Sequence, residues 1–375
     1  MTAVSSVLVI GGGCAGTCAA IQLRKLGTAV DLVERNPAWG SYGAGISVSG
    51  PSLRALDTIG VLQQVLSEGR GSDGVEVYAP SGRLLATLPT PRVGGAHVPG
   101  QAGIMRPVLS AILEQATRAS GATVRLGTAV KTLEQTPEGV AVTFEDGSRG
   151  RYDLVVGADG LFSRTRTQIL PHAPVPQYSG QAVWRAIFQT PPEVKSVCMF
   201  MGARTKVGFN PVSAHEMYMF VTEDRPVNEH LDESRLVPEL SALLAPYEAK
   251  AVRDARASLG PAAKIVFRPL EGLLVSPPWF VGRVVLIGDA VHATTPHMAS
   301  GAGMGFEDAI VLAEELGAAS SVEAALQKFQ QRRWERCRLV VENSRRLGEI
   351  EMTGGSQEEH TRLMHQTLAA LVQPI

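Results

Sequence analysis

The chain has 375 residues, 45% hydrophobic and 19% charged, enough to bury a substantial core in one large domain or two closely packed ones. Lys plus Arg number 35 against 36 for Asp plus Glu, and a net charge of −1 carries no basic footprint for a nucleic-acid partner. The four cysteines (Cys14, Cys18, Cys198, Cys337) lack metal-ligand spacing, so they read as packed, reduced thiols and no metal is expected.

Residues 7–10 are an apolar run too short for a leader peptide or membrane span, and no basic segment precedes them. They read as a strand, and a reducing, cytoplasmic compartment without a membrane partner is the expectation. A helix pattern at 15–26 and a buried strand at 29–33 complete a βαβ unit. Helical patterns follow at 51–59 and 60–66, and the runs 74–79 and 83–88 flank Pro80-Ser81-Gly82 as a hairpin. A Gly- and Pro-rich loop covers 89–103. Residues 106–120 form an amphipathic helix, and 123–126, 130–135, 140–145 and 152–157 read as strands.

From 174 to 269 helical periodicity fades. Extended runs at 182–189, 196–202, 206–211 and 217–222 predict an antiparallel sheet, interrupted by one helix at 236–244. Beyond 280 the earlier style returns, with a strand at 284–287 and helices at 305–316, 322–331 and 334–346. The expected fold class is α/β. A discontinuous Rossmann-like nucleotide-binding domain (1–173 and 270–350) holds an inserted antiparallel-sheet domain (174–269), and a helical tail (351–375) follows.

Gly11, Gly13 and Gly16 are spaced as G-x-G-x-x-G between the first strand and helix, the context a dinucleotide fingerprint requires. Gly11 permits the tight turn, Gly13 the approach of backbone to phosphate, and Gly16 the packing of helix on strand. The helix start at Cys14 and Ala15 offers free N–H groups and positive dipole character to a pyrophosphate. Glu34 closes the second strand, where a carboxylate accepts from ribose hydroxyls and repels a 2′-phosphate. This motif does not separate NAD from FAD.

Two more segments follow in order, Gly157-Ala158-Asp159-Gly160 and Gly288-Asp289-Ala290. Together with Glu34-Arg35, Gly43-Ala44-Gly45-Ile46 and Arg106 opening a helix, they make nearly the whole chain resemble one family. It is that of the para-hydroxybenzoate hydroxylase-like flavoprotein monooxygenases, the group A, single-component aromatic hydroxylases. The resemblance implies FAD as cofactor. Residues 153–166 look like the family's DG motif, implying contacts from Asp159 to FAD and the nicotinamide donor. Residues 283–292 look like its GD motif, with Gly288 and Asp289 on the flavin's ribityl or ribose hydroxyls. Arg35, Arg106 and Val130 complete the implied FAD set. Pro296 and then Gly301, Ala302, Gly303 and Met304 lead into a helix, and small residues there let amides approach a flat ring. No Trp-x-Trp-x-x-Ile halogenase motif is present, and the chain ends soon after its helices, so a compact hydroxylase is expected.

The implied reaction takes electrons from NADH or NADPH and oxygen from O2. It hydroxylates a small, electron-rich aromatic or heteroaromatic substrate through a C4a-hydroperoxyflavin. Alternatives are an epoxidase or Baeyer-Villiger-type oxygenase on a larger metabolite, a flavin-binding protein without turnover, and a plain NAD-dependent dehydrogenase. A monomer or homodimer is expected. His297, Tyr218 and Lys206 are the catalytic candidates. His297 follows Pro296 and has the titration range to orient or deprotonate a hydroxyl, or it merely caps a carbonyl. Tyr218 shares a strand face with Phe220 and meets a substrate hydroxyl or is simply packed. Lys206 grips a carboxylate or oxyanion, or lies in solvent. His292 reads as loop support and His215 as a surface turn. Trp184, Phe200, Met201, Phe209 and Met219 read mainly as core. Arg185 is expected to snorkel or pair at the sheet rim, and 332–336 to form a solvated helix face or dimer contact.

Overall fold

The computed structural model describes residues 3–40, 43–191 and 194–375. The chain opens with β1 (Ser6–Ile10), α1 (Cys14–Lys25) and β2 (Ala29–Glu34). Next come β3 (Gly45–Ser49), α2 (Gly50–Ile59), α3 (Leu62–Glu68), β4 (Arg70–Ser72), β5 (Gly74–Tyr78) and β6 (Leu84–Pro89). β7 (Gln101–Met105) runs into α4 (Arg106–Ala119), followed by β8 (Thr123–Leu126), β9 (Val130–Thr136), β10 (Gly139–Phe144) and β11 (Arg149–Tyr152). Then follow β12 (Leu154–Gly157), α5 (Arg164–Ile169), β13 (Gln177–Gln189), β14 (Val197–Met201), β15 (Thr205–Pro211) and β16 (Glu216–Asp224). α6 (Glu233–Leu244), α7 (Lys250–Ala257), β17 (Ile265–Gly272), β18 (Phe280–Val281) and β19 (Val284–Leu286) lead to α8 (Asp289–His292). The helices α9 (Gly301–Ala318), α10 (Val322–Thr353) and α11 (Gln357–Val372) close the chain.

The first sheet has the strand order β18-β19-β12-β1-β2-β8. Its central pairs, β1 with β2 and β12, β12 with β19, and β2 with β8, are parallel. Val7, Leu8 and Val9 are fully buried, which is why β1 reads as an unbroken apolar run rather than an alternation. Parallel pairing brings the ends Ile10, Glu34, Gly157 and Leu286 to one edge. All three glycine motifs therefore lie where ligands of open α/β sheets bind.

The second large sheet has the order β17-β13-β16-β15-β14-β5-β6. It is antiparallel except where β14 meets β5 in parallel. The expected insert is thus extended by a hairpin from the first segment of the chain, a long-range pairing that local patterns do not display. One face of this sheet packs Trp184, Phe209, Met219 and Phe267 against Leu240 and Leu244 of α6 and Val252 of α7. Strand alternation puts Arg185, Lys206, Asn210, Tyr218 and Phe220 on the other face, toward the first sheet's domain.

Several helices differ from expectation, and the insert carries two, α6 and α7, where one was expected. The helices expected at 322–331 and 334–346 are a single helix of 32 residues. No Gly or Pro separates them, and Ser321 caps the start by accepting from the Ala324 amide at 3.2 Å. The helix expected at 305 begins at Gly301. No helix among the described residues is long and apolar enough to cross a membrane.

Candidate functional site

Gly11 has φ of +107°, and a Cβ there would lie 2.4 Å from the Ala158 carbonyl oxygen. A Cβ on Gly16 would lie 1.9 Å from the Gly11 carbonyl oxygen. Both glycines are therefore demanded by backbone-to-backbone approach. Gly13 is different, since a Cβ there meets no atom within 4 Å. The loop is held from behind. Glu34 accepts from the Gly12 amide at 2.8 Å and the Asn36 amide at 2.7 Å, and Trp39 donates its indole N–H to the Gly12 carbonyl at 2.9 Å.

The late motif closes on the first through Ala15. A Cβ on Gly288 would lie 2.8 Å from the Ala15 Cβ, and one on Gly305 would lie 3.0 Å from it. Only small residues let α1, α8 and α9 meet at this point. In the middle motif, Asp159 accepts from Ser163 Oγ at 2.5 Å and from the Thr165 amide at 2.9 Å, fixing the turn into α5. Arg166 ties this motif to the late one by donating to the Ala290 carbonyl at 2.8 Å and the Leu161 carbonyl at 2.9 Å.

Behind the late motif lies a buried ionic network. Asp308 accepts from the Gly288 amide at 2.8 Å, from Arg333 Nε at 2.7 Å, and shares a 2.6 Å hydrogen bond with His292 Nε2. Arg333 also donates to Glu307 at 2.8 Å, and Glu307 accepts in turn from Arg336. Arg336 reaches the carbonyls of Ala370 and Leu371 at the end of α11. The expectation of a solvated face at 332–336 is corrected here, because Arg333 is wholly buried and is the counter-ion of two buried carboxylates.

In front of the motifs, Arg106 stands where the two large sheets face each other. Removal from bulk water pushes the Cys14 thiol and Asp289 carboxyl up and the Arg185 guanidinium down, and Arg106 is close enough to act on all three. Asp289 keeps its surface open to this cleft. On Arg185 the countervailing influence comes from Tyr218, while Arg106 and Arg268 add to the downward push. Arg185 makes no ion pair among the described residues, so of the two expectations for it, snorkelling or pairing at the rim, the pairing is not met.

The cleft face of the second sheet carries two polar groups. At one end, the Tyr218 hydroxyl lies 2.9 Å from Ser47 Oγ, which accepts from Asn210 Nδ2 at 2.8 Å. At the other, Lys206 Nζ donates to Glu351 at 2.8 Å, so Lys206 is paired and largely buried rather than solvated. His297 Nε2 lies 3.6 Å from the other Glu351 oxygen, and its Nδ1 lies 2.9 Å from Thr295 Oγ1. Burial holds the His297 pKa below the ordinary value, so the ring is neutral at pH 7.

A family profile described as an FAD binding domain matches residues 4–344. The putative FAD-dependent monooxygenase YetM of Bacillus subtilis is 31% identical, over 90% of this chain and 91% of its own. The chain belongs to the para-hydroxybenzoate hydroxylase-like FAD-dependent monooxygenases. A 2-heptyl-3-hydroxy-4(1H)-quinolone synthase of Pseudomonas aeruginosa is 32% identical, covering 92% of this chain and 89% of that protein. The Klebsiella pneumoniae HpxO structure with FAD and uric acid superposes with a TM-score of 0.86 at 25% identity, covering 98% of this monooxygenase and 96% of HpxO.

The cleft of the monooxygenase fits its cofactor on geometry alone, with Gly13 facing free space, Asp289 open to the cleft and the α9 N-terminus beginning at Gly301. Of the three catalytic candidates, the structure joins Lys206 to His297 through Glu351 and leaves Tyr218 four residues of strand away from Lys206, beside Asn210. Trp184, Phe200, Phe209 and Met219 belong to the core, whereas Met201 is exposed. Val130 packs among Ile10, Val33 and Phe144. Glu351, Asp308 and the unpaired state of Arg185 were missed from sequence. Acids at 307 and 308 inside the apolar first half of α9 were the one available signal for the buried network.

Proposed function

We propose that the monooxygenase hydroxylates a small, electron-rich N-heteroaromatic ring, taking electrons from NADH or NADPH and oxygen from O2. The observation that carries this reading is Arg185, a cleft-facing guanidinium withdrawn from water with Tyr218 beside it and no carboxylate partner among the described residues. A cation so placed stabilises negative charge on a ring oxygen, which makes the neighbouring ring carbon a better nucleophile. The quinolone synthase and the uric acid complex among the relatives favour a nitrogen-containing ring over a benzoate.

In this reading Gly11, Gly13, Cys14, Ala15 and Gly16 receive the pyrophosphate, and Glu34, with Arg35 and Val130, receives the adenosine end. Gly288 and Asp289 take the ribityl hydroxyls, and Arg106, Pro296 and residues 301–304 border the ring system. Asp159 holds the turn that shapes this border. Bound FAD supplies the redox and oxygen-transfer chemistry. The protein's own part is to orient the substrate, through Tyr218 and the Ser47–Asn210 pair, and to exclude water. Neutral His297 is suited to accept a proton from a ring hydroxyl. The four free cysteines suit a reducing, cytoplasmic compartment.

Hydroxyquinolines and hydroxypyridines should stimulate NAD(P)H oxidation, with one atom of isotope-labelled O2 entering the product. A flavin-loaded enzyme that shows neither effect with any ring offered overturns the reading. Arg185→Met is expected to lower kcat/KM by roughly 100-fold while bound FAD stays at the level of the unmodified enzyme, as read from steady-state kinetics and flavin absorbance.

A further inference from the structure

Lys206 and Arg185 lie on the same face of the second sheet. Lys206 pairs with Thr222, Gly208 with Phe220, and Phe220 with Arg185. Two strand spacings and one two-residue step separate the two cations, roughly 12 Å between Cα atoms, so their long side chains can reach one ring from two sides. A hydroxylated ring acid has two anionic groups for two such cations. One of the cations is already taken. Glu351, from the last turn of α10, accepts from Lys206 Nζ at 2.8 Å and lies 3.6 Å from His297 Nε2 and 3.5 Å from His360 Nε2. Lys206 and Glu351 are 12% and 17% exposed, so the pair is shielded from solvent and competing ions. Burial alone would push the Glu351 carboxyl up, but the Lys206 ammonium beside it holds it well below the usual range, so it stays anionic at neutral pH. His297 is neutral there and offers no compensating charge.

We propose that Glu351 is a specificity-determining residue: by occupying Lys206 it denies a substrate carboxylate its counter-ion, so the pocket admits hydroxylated rings without a carboxylate. The inference rests on the reading of the enzyme as a hydroxylase of N-heteroaromatic rings. A ring acid seated between Arg185 and Lys206 meets a neutral Lys206–Glu351 pair instead of a free cation, so its carboxylate loses water without gaining a counter-ion. Removing the Glu351 charge turns that neutral pair into a free cation, Lys206, able to pair with a substrate carboxylate.

The test uses the FAD-loaded full chain and two probes that differ by one group, 4-hydroxyquinoline and 4-hydroxyquinoline-2-carboxylate. Binding is read from perturbation of the flavin spectrum. The unmodified enzyme should bind the uncarboxylated ring at least about 100-fold more tightly, and Glu351→Gln should narrow that ratio at least about tenfold by tightening the acid. Adding Lys206→Met to Glu351→Gln should abolish the gain. Glu351→Ala, read in parallel, carries the same expectation, and flavin content with thermal melting identifies which variant is folded. A ratio unchanged in a folded, flavin-loaded Glu351 variant overturns the inference alone. If neither ring perturbs the flavin or stimulates turnover in any of the proteins, the N-heteroaromatic reading falls and takes this inference with it.

Discussion

Gly16→Ala is expected to yield a protein that purifies without flavin colour and takes up added FAD at least about 100-fold more weakly, about 2.7 kcal/mol of lost binding. The added methyl would sit 1.9 Å from the Gly11 carbonyl oxygen, and neither partner can yield, since both belong to backbone. Gly11 is itself pinned against Ala158, so relief would have to come from moving β1 or α1. Gly13→Ala separates the cradle from the scaffold. Its Cβ meets nothing within 4 Å, and its φ of −76° suits any L-residue. That variant should melt at the temperature of the unmodified apoprotein yet bind FAD poorly, because only the ligand contests the space. Fluorescence titration of the apoproteins with FAD, beside thermal melts without it, checks both expectations. A Gly13→Ala protein that binds FAD normally would show that the pyrophosphate lies elsewhere.

Arg333→Met should cost the fold about 3–5 kcal/mol, because it leaves Glu307 and Asp308 buried without the one counter-ion they share. For a chain of 375 residues a loss of that size corresponds to a melting temperature lower by about 4–6 °C. The same network sets a pH dependence. Burial opposes the charged form of His292, but the charge of its neighbours, Asp308 among them at 2.6 Å, raises its pKa well above the ordinary value. Its contribution is therefore fully present below about pH 6.5, the unfolded value, and is lost as pH rises through the folded one. Asp308 behaves oppositely. Burial would raise its pKa, but His292 and Arg333 hold it down, so its contribution is present above about pH 3.9 and disappears as pH falls through the folded value. Thermal melts across pH should show a neutral plateau for the unmodified enzyme, with the alkaline fall absent in His292→Gln.

The nucleotide half of the enzyme was legible because its constraints are local. Gly11, Gly13 and Gly16 sit within one turn, Glu34 follows at the end of the next strand, and Gly288-Asp289 ends a strand as expected. The four β-runs of the insert were legible by alternation, but not the joining of β5 to β14, since pairing across more than a hundred residues leaves no local mark. The two-helix expectation for 322–346 failed on Arg332 and Arg333. Charged residues mimic a solvated break in a pattern when their counter-ions lie on another helix.

What the sequence alone determined is a dinucleotide cradle and the edge of the sheet at which it lies, with flavin as the dinucleotide that the family resemblance implied. Glycine spacing, strand ends and the position of one acid are set by covalent geometry and hydrogen bonding within short segments. Tertiary structure decided which charges are available. Lys206 and Arg185 look equally free along the chain, yet a glutamate more than a hundred residues away neutralises one and leaves the other open to the cleft. Whether a buried cation is spent or available depends on which side chain the fold places within about 4 Å of it, and at that range in a shielded site charge pairing outweighs every local preference.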